Sequence, residues 1–373
     1  MFAYSPASAG DDAPLVLVLH GCTQQAASMT SGGFEALADE FGFHLVYPQQ
    51  KSANNPVSCF NWAGEFGDPA NLVRGQGENQ SIASMVEKMK TDHSIDPGRV
   101  FVIGFSAGGG MASVMLATWP DLFAGGAIAS GLPYRCATDV AGAFDCQNMS
   151  VHPEKKKTPE QWGDLVRAAF PEFTGPRPRV FIMHGTSDFI VHSDAAIELD
   201  DQWTDVHGID TVPEVVDTVG AAQRARHESG GQVVVESWRV TGMGHAFPIG
   251  QDPEHGCGTV AAYFEDRDLC GAFRALSFFG LTGGGSNPPV DAGPVDAGGP
   301  DATCGDEADQ EKADLQAPDG AEAGQSGCAV GTGSRGAAAL YVLLALALSA
   351  ARRRRAARST LPAPVRGSSG TSS

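Results

Sequence analysis

Between residues 13 and 281 the chain alternates short, continuous apolar runs with segments that repeat apolar residues at helical spacing. Val100 to Ile103 runs into Gly104-Phe105-Ser106-Ala107-Gly108, and an Ala/Met/Leu-rich segment follows at once, which predicts strand, sharp turn and helix. Pro14 to His20 is a continuous apolar run, the mark of a parallel strand buried on both faces. Phe34 to Phe41 predicts a short helix and Phe43 to Tyr47 the next strand. Ile82, Met85, Val86 and Met89 share one face of a helix expected from about Asn79 to Thr91, with the methionines as core filler. Ile95 to Arg99 reads as a turn that delivers the chain to the strand before Ser106. Further strands are expected at Phe123 to Ser130, Val180 to Met183 and Val233 to Val240. Thr158 with Pro159 starts one more helix, and Asp194 opens another that runs to Val206. Strands alternating with helices predict an α/β domain with a mostly parallel sheet and helices on both faces.

Composition separates this region from the C-terminal part of the chain. All five tryptophans lie before Gly280, whereas beyond Thr282 the chain turns to Gly, Pro, Asp and Ala and repeats Pro-Val-Asp-Ala-Gly at 289 to 293 and 294 to 298. We read residues 1–281 as the folded domain, 282–327 as a disordered acidic linker, 328–358 as a cysteine, short hydrophobic helix and arginine cluster, and 359–373 as a disordered tail. The formal charge is −19, and between Thr282 and Ser334 ten acids face one lysine. That balance excludes a nucleic-acid surface, which has to supply cations to phosphates. It suits a self-repelling spacer.

Six of the eight cysteines, Cys22, Cys59, Cys136, Cys146, Cys257 and Cys270, fall in the domain. Close spacing makes Cys136 with Cys146 and Cys257 with Cys270 candidate loop staples, leaving Cys22 with Cys59 as a third pair. Other connectivities stay open, and there is no C-x-x-C motif of a zinc site. Disulfides imply an oxidising compartment. No basic segment followed by an apolar one opens the chain, so the expectation is that the start has been placed downstream of the true one, with the opening a strand cut short.

The candidate chemistry centres on Ser106. A serine on a tight strand-to-helix turn projects from the backbone, and the glycines at 104 and 108 avoid collisions with neighbouring strand and helix. Asp188 follows the strand at Val180 to Met183, where a carboxylate can orient a histidine; Asp194 is its rival and is expected at a helix start instead. His245, flanked by Gly244 and Ala246, sits on the loop after the last long strand. The order serine, aspartate, histidine is that of the α/β-hydrolase arrangement. One backbone N–H for a developing oxyanion is expected from the loop after Pro14 to His20 and the other from Ala107. His20 and His184 are read as structural. Trp62 either lines a substrate groove or is a buried anchor, and the insertion up to Lys157 is a candidate rim or lid.

Four blocks, HGCTQ, GFSAGGGM, HGTSDFIV and GMGHAFP, supported by RGQGE from Arg74, SGLPYRCA from Ser130 and TPEQWGDLVRAAFPEFTGPRPRV from Thr158, resemble the extracellular esterases grouped with poly(3-hydroxybutyrate) depolymerases, acetylxylan esterases and feruloyl esterases. The resemblance spans roughly residues 13 to 281. It implies Ser106 as nucleophile, Asp188 as acid and His245 as base, with the N–H groups of Cys22 and Ala107 as oxyanion hole. The tryptophan often found after the catalytic histidine in that family is Phe247 here, a candidate for the substrate groove. The implied function is ester hydrolysis through an acyl-enzyme, without metal or organic cofactor, on a polymeric acyl ester. Acetyl or feruloyl esters of plant polysaccharide come first, poly(3-hydroxybutyrate) is the alternative, and a non-catalytic surface protein on a hydrolase scaffold is the reading from another class. No separate polymer-binding module follows the domain, which counts against degradation of a solid polymer.

The apolar stretch Gly336 to Ala351, sixteen residues long, would reach about 24 Å as a helix, short of the roughly 30 Å hydrocarbon core. Cys328, this stretch and Arg352 to Arg355 together resemble myxobacterial C-terminal sorting signals, which implies an extracellular or cell-surface protein with membrane contact through this segment; the alternative is a simple tail anchor. Nothing in the pattern fixes an oligomeric state.

Overall fold

The computed structural model describes residues 1–64 and 69–283. The chain divides into two units, Met1–Ala297 and Gly298–Ser373, and every described residue belongs to the first. The acidic repeats, Cys304, Cys328, the apolar stretch and the arginine cluster lie outside the described residues.

The elements in chain order are β1 (Phe2–Tyr4), β2 (Ala13–Leu19), α1 (Phe34–Phe41), β3 (His44–Tyr47), α2 (Gly77–Asp92), β4 (Ile95–Phe105), α3 (Ala107–Thr118), β5 (Gly125–Ala129) and α4 (Val140–Gln147). They continue with α5 (Pro159–Arg167), β6 (Arg179–Gly185), α6 (Asp194–Val206), β7 (Val215–Val219), β8 (Ala222–Ser229), β9 (Gln232–Val240), β10 (Phe247–Ile249), β11 (Phe264–Asp266) and α7 (Gly271–Phe279). One sheet orders its nine strands β1-β3-β2-β4-β5-β6-β9-β8-β7, while β10 and β11 form a separate parallel pair. The six strands from β3 to β9 in that order are parallel, and β1, β8 and β7 add antiparallel edges.

The unbroken apolar runs follow from cover on both faces. Leu15, Leu17 and Leu19 of β2 join a core with residues of α2, α3, α5 and α6, while Val16 and Val18 join a second core with α1 and α7. Successive side chains leave opposite faces of a strand, so both halves of the alternation have to be apolar. Each such side chain contributes about 2 kcal/mol on burial. Helix α3 is buried from its first residue to its last, which explains why its sequence shows no polar face. The start of α5 is a capping box: Thr158 accepts from the Gln161 N–H and the Gln161 side chain accepts from the Thr158 N–H.

One local expectation changes, and one element goes unsignalled by the apolar pattern. Ile95 to Arg99 is part of β4, not a turn before it. Ala13 pairs with Ile95 and Leu15 with Val100, so the extra residues form a bulge, with the Asp96 carboxylate accepting from the Gly98 N–H at 2.8 Å. The hairpin β7–β8 does not stand out in the apolar pattern because it lies at the exposed edge. There, polar residues alternate outward and Arg224 pairs with Asp217 at 2.6 Å.

Three disulfides are present, Cys22–Cys59, Cys136–Cys146 and Cys257–Cys270, in the pairing that spacing favours. The first ties the loop after β2 to the loop before α2, the second holds α4 in the insertion, and the third fastens the start of α7. Among the described residues no helix is long and apolar enough to cross a membrane. Replacing Cys257 and Cys270 together by serine is expected to lower stability by about 3 kcal/mol. The measurement is the urea midpoint of both proteins under non-reducing conditions.

Candidate active site

Ser106 stands between β4 and α3 with φ 57° and ψ −120°, a conformation that costs a non-glycine residue energy and persists only where surrounding structure enforces it. The enforcement is steric. A Cβ on Gly104 would lie 2.0 Å from the Gly108 carbonyl oxygen, and one on Gly108 would lie 2.3 Å from the carbonyl oxygen of Leu19. The Ser106 N–H donates to Ala129 at 2.9 Å, and the Gly110 N–H donates to Ser106 at 2.9 Å as the first bond of α3. The N–H groups of Ala107, Gly108 and Gly109 therefore precede the ladder, at the positive end of the helix.

The three residues separated in sequence meet here. His245 Nε2 lies 2.9 Å from Ser106 Oγ, and His245 Nδ1 lies 2.7 Å from Asp188 Oδ2. The other carboxylate oxygen of Asp188 accepts from the N–H groups of Ile190 and Val191, both at 2.9 Å. Burial alone would raise the pKa of this carboxyl, but hydrogen bonds from His184 and His245 outweigh it and hold the group well below the usual carboxylate range. His184 Nε2 sits 2.9 Å from the Val191 carbonyl and 3.4 Å from Asp188 Oδ2, which places it as a support of the acid loop. The loops after β6 and β9 are locked together: Ser187 N–H donates to Met243 and Gly242 N–H to Thr186 Oγ1, each at 2.9 Å. A Cβ on Gly185 would meet the Met243 carbonyl at 2.3 Å. The rival Asp194 pairs instead with Lys156 at 2.7 Å, at the start of α6.

The loop after β2 reaches the same place. A Cβ on Gly21 would stand 3.1 Å from Ser106 Cβ, so the backbone leading into Cys22 rests against the serine. The arrangement can pass a proton from Ser106 to His245, keep the imidazolium beside a carboxylate, and offer backbone donors to a developing oxyanion.

Two expected groove residues are corrected. Trp62 is buried, with its ring against α3 where a Cβ on Gly110 would meet Trp62 Cγ at 2.6 Å, so it is a core anchor. Phe247 is also buried, packed on Phe34 and Phe264 at ring distances of 5.7 and 6.0 Å. The aromatic side chains beside the histidine are others. Phe105 lies 5.0 Å from the His245 ring and Tyr263 meets that ring edge-on at 6.2 Å, with Tyr263 38% exposed. Next to Asp188, Phe189 and Ile190 are exposed. Tyr263 went unassigned in the sequence because its stretch has no periodicity; only folding brings it to His245.

The family described as Esterase PHB depolymerase matches residues 2–229. This chain belongs to that family. The reaction class follows: the chain is a carboxylic ester hydrolase. It is 46% identical over 287 residues to poly(3-hydroxyalkanoate) depolymerase C of Paucimonas lemoignei, covering 76% of this chain and 67% of that protein. Feruloyl esterase B of Neurospora crassa is 33% identical over 254 residues, covering 67% of this chain and 84% of the relative. Among solved structures, acetyl xylan esterase from Aspergillus awamori superimposes with a TM-score of 0.58 at 26% identity, covering 65% of this chain and 87% of the other. The fold is thus the α/β-hydrolase architecture expected from the alternation of elements.

Because the folded-state pKa of Asp188 is depressed, its bonds contribute stability fully above the unfolded value of about 4, and that part is lost as pH falls toward the lower folded value. Asp188→Asn is expected to flatten the fall of melting temperature between about pH 5 and pH 2. Equal slopes in the two proteins would show that the ionised carboxylate is no anchor.

Proposed function

We propose that ester hydrolysis here runs through an acyl-enzyme on Ser106, with His245 as base and Asp188 as its orienting acid. His245 takes the hydroxyl proton, Ser106 Oγ attacks the carbonyl carbon, and the N–H groups of Cys22 and Ala107 hold the oxyanion. The protonated His245 then gives its proton to the leaving alcohol, and water repeats the sequence to release the acid. The observation that carries the reading is the unbroken chain of hydrogen bonds from Ser106 through His245 to Asp188. Each oxyanion donor is worth about 3 kcal/mol in the transition state, which makes the backbone of the two loops as important as the three side chains. Ser106→Ala is expected to abolish turnover of a simple aryl ester; retained activity in pure protein sinks the assignment.

For the substrate, a polyester of 3-hydroxyalkanoate units takes first place, ahead of the plant polysaccharide esters placed first on the sequence, whose motifs fix the reaction and leave the acyl pocket unread. The identity of 46% to a poly(3-hydroxyalkanoate) depolymerase against 33% to a feruloyl esterase supports this order. So do the exposed Phe189 and Ile190, which follow Asp188 in the chain, and Tyr263 beside His245, since exposed apolar surface suits an aliphatic chain. The fold likeness to an acetyl xylan esterase supports acetyl or feruloyl polysaccharide esters as the second reading. Hydroxyalkanoate oligomers and granules, acetylated xylan and a feruloyl ester assayed side by side decide it: fastest specific release from the oligomers is expected, and release of acetate or ferulate alone reverses the order.

The three disulfides support action in an oxidising, extracellular setting. Residues 282–327 act as a spacer, and 328–358 as a sorting segment that brings the domain to the cell surface. Mass spectrometry of the surface fraction is expected to find mature protein without Arg352 to Arg355; intact C-terminal peptides there contradict it.

A further inference from the structure

We propose that Tyr263 sets leaving-group specificity: its ring lies along the alcohol half of the scissile ester, and its hydroxyl donates to the carbonyl that a 3-hydroxyalkanoate leaving unit carries close to the departing oxygen. This rests on the reading of Ser106 and His245 as nucleophile and base and of a polyester as substrate. Asp188 occupies Nδ1 of His245, and Ser106 stands at Nε2. When the bond from the acyl carbon to the alcohol oxygen breaks, the proton on Nε2 passes to that oxygen, which has to come within about 3 Å of Nε2. The carbons attached to it therefore start beside the imidazole. Two aromatic rings border that imidazole. Phe105 is buried, whereas Tyr263 is 38% exposed and meets the His245 ring edge-on, at 83° and 6.2 Å between centroids. The Tyr263 hydroxyl makes no hydrogen bond among the described residues, so its donor is open to a ligand.

The backbone gives this side chain a second mark of function. Residues 261–264 form a turn closed by the Phe264 N–H on the Ala261 carbonyl at 3.1 Å, and of its two central residues only Tyr263 has a positive φ, 67°. That is the position where such a turn favours glycine, so a tyrosine there is strained. Its surroundings enforce the strain. The Phe247 N–H donates to the Tyr263 carbonyl at 2.8 Å, the Ala261 N–H donates to the Phe264 carbonyl at 3.3 Å, and the Cys257–Cys270 bridge closes the segment. Phe247 lies two residues after His245, so the same bond fixes the tyrosine relative to the base. Glycine would satisfy this turn without strain but would leave no ring and no hydroxyl beside the histidine. A strained residue with an open donor next to the proton carrier is what a substrate contact requires, and the fold itself has no use for that donor.

The competing role is a brace, since the ring also lies 6.2 Å from Phe105 and steadies His245. A brace serves every ester alike, whereas a leaving-group contact serves only esters whose alcohol reaches it. Two soluble substrates with the same acyl unit separate the roles. A 3-hydroxyalkanoate dimer capped as its amide has one ester bond and a carbonyl on the leaving unit; the ethyl ester of the same acid has one ester bond and no such carbonyl. Tyr263→Phe removes the hydroxyl alone and is expected to lower the ratio of kcat/KM on the dimer to kcat/KM on the ethyl ester about five- to tenfold. Tyr263→Gly removes the ring as well and is expected to lower that ratio about 30-fold, with melting within about 3 °C of wild type because relief of the positive φ offsets the lost packing. The pH profile of kcat/KM on the ethyl ester is expected to coincide in Tyr263→Phe and wild type. An unchanged ratio in Tyr263→Phe, or a shifted profile in that variant, makes the residue a brace and overturns the proposal; this variant keeps the ring and decides the point even where the glycine variant fails to fold. A wild type that leaves the capped dimer intact while releasing acetate from acetylated xylan overturns the substrate reading and the proposal together. Dimer cleavage that survives Ser106→Ala overturns the acyl-enzyme reading instead, and with it the proposal.

Discussion

The close approach of backbone to backbone around Ser106 is the constraint on which the rest depends. The turn can be this sharp only because Gly104 faces the Gly108 carbonyl and Gly108 faces Leu19 with no side chain between them. That contact packs α3 onto the carboxyl end of β4 and beside β2, and it holds Ser106 at a positive φ that its own preferences oppose. The strain is sustained by burial of α3 along its whole length, so the core on that face of the sheet holds the serine in place.

Electrostatics at the site follow from what surrounds Asp188. A carboxylate taken out of water would favour its neutral form, yet this one meets two backbone N–H groups on one oxygen and two imidazoles on the other. Enough donors reverse the effect of burial. The same donors set its orientation, and through His245 they set the direction in which a proton can leave Ser106. The supporting loops are tied to each other by backbone bonds, which limits how far the histidine can drift from the serine.

The loop after β2 is held by a different network. Glu78 accepts from the backbone and side chain of Asn61 and from the Gln50 side chain, and Gln50 in turn meets both His20 and Cys59. A half-buried carboxylate is in this way connected to the peptide beside the serine. Burial raises the pKa of Glu78 while the bonds from Asn61 and Gln50 oppose the rise, so its charge depends on those partners staying in place.

Much of this was legible in the chain itself. Apolar runs too short for helices and unbroken by polar residues could only be strands covered on both faces, and the glycines around Ser106 marked a turn that tolerates no side chains. Asp188 and His245 could be named because each follows such a run, while close spacing made two cysteine pairs candidates and left other connectivities open until the fold joined them. Tertiary structure decided what depends on long-range placement. Trp62 and Phe247 have the composition of groove residues but are buried, because a ring's exposure is set by what packs over it. Tyr263 reaches His245 from a segment without periodicity, and the β7–β8 hairpin is fixed by pairing with β9 rather than by an apolar pattern of its own. The tautomer of His20 is the same kind of fact: a residue type is written in the sequence, but which of its nitrogens carries the proton depends on an amide thirty positions away.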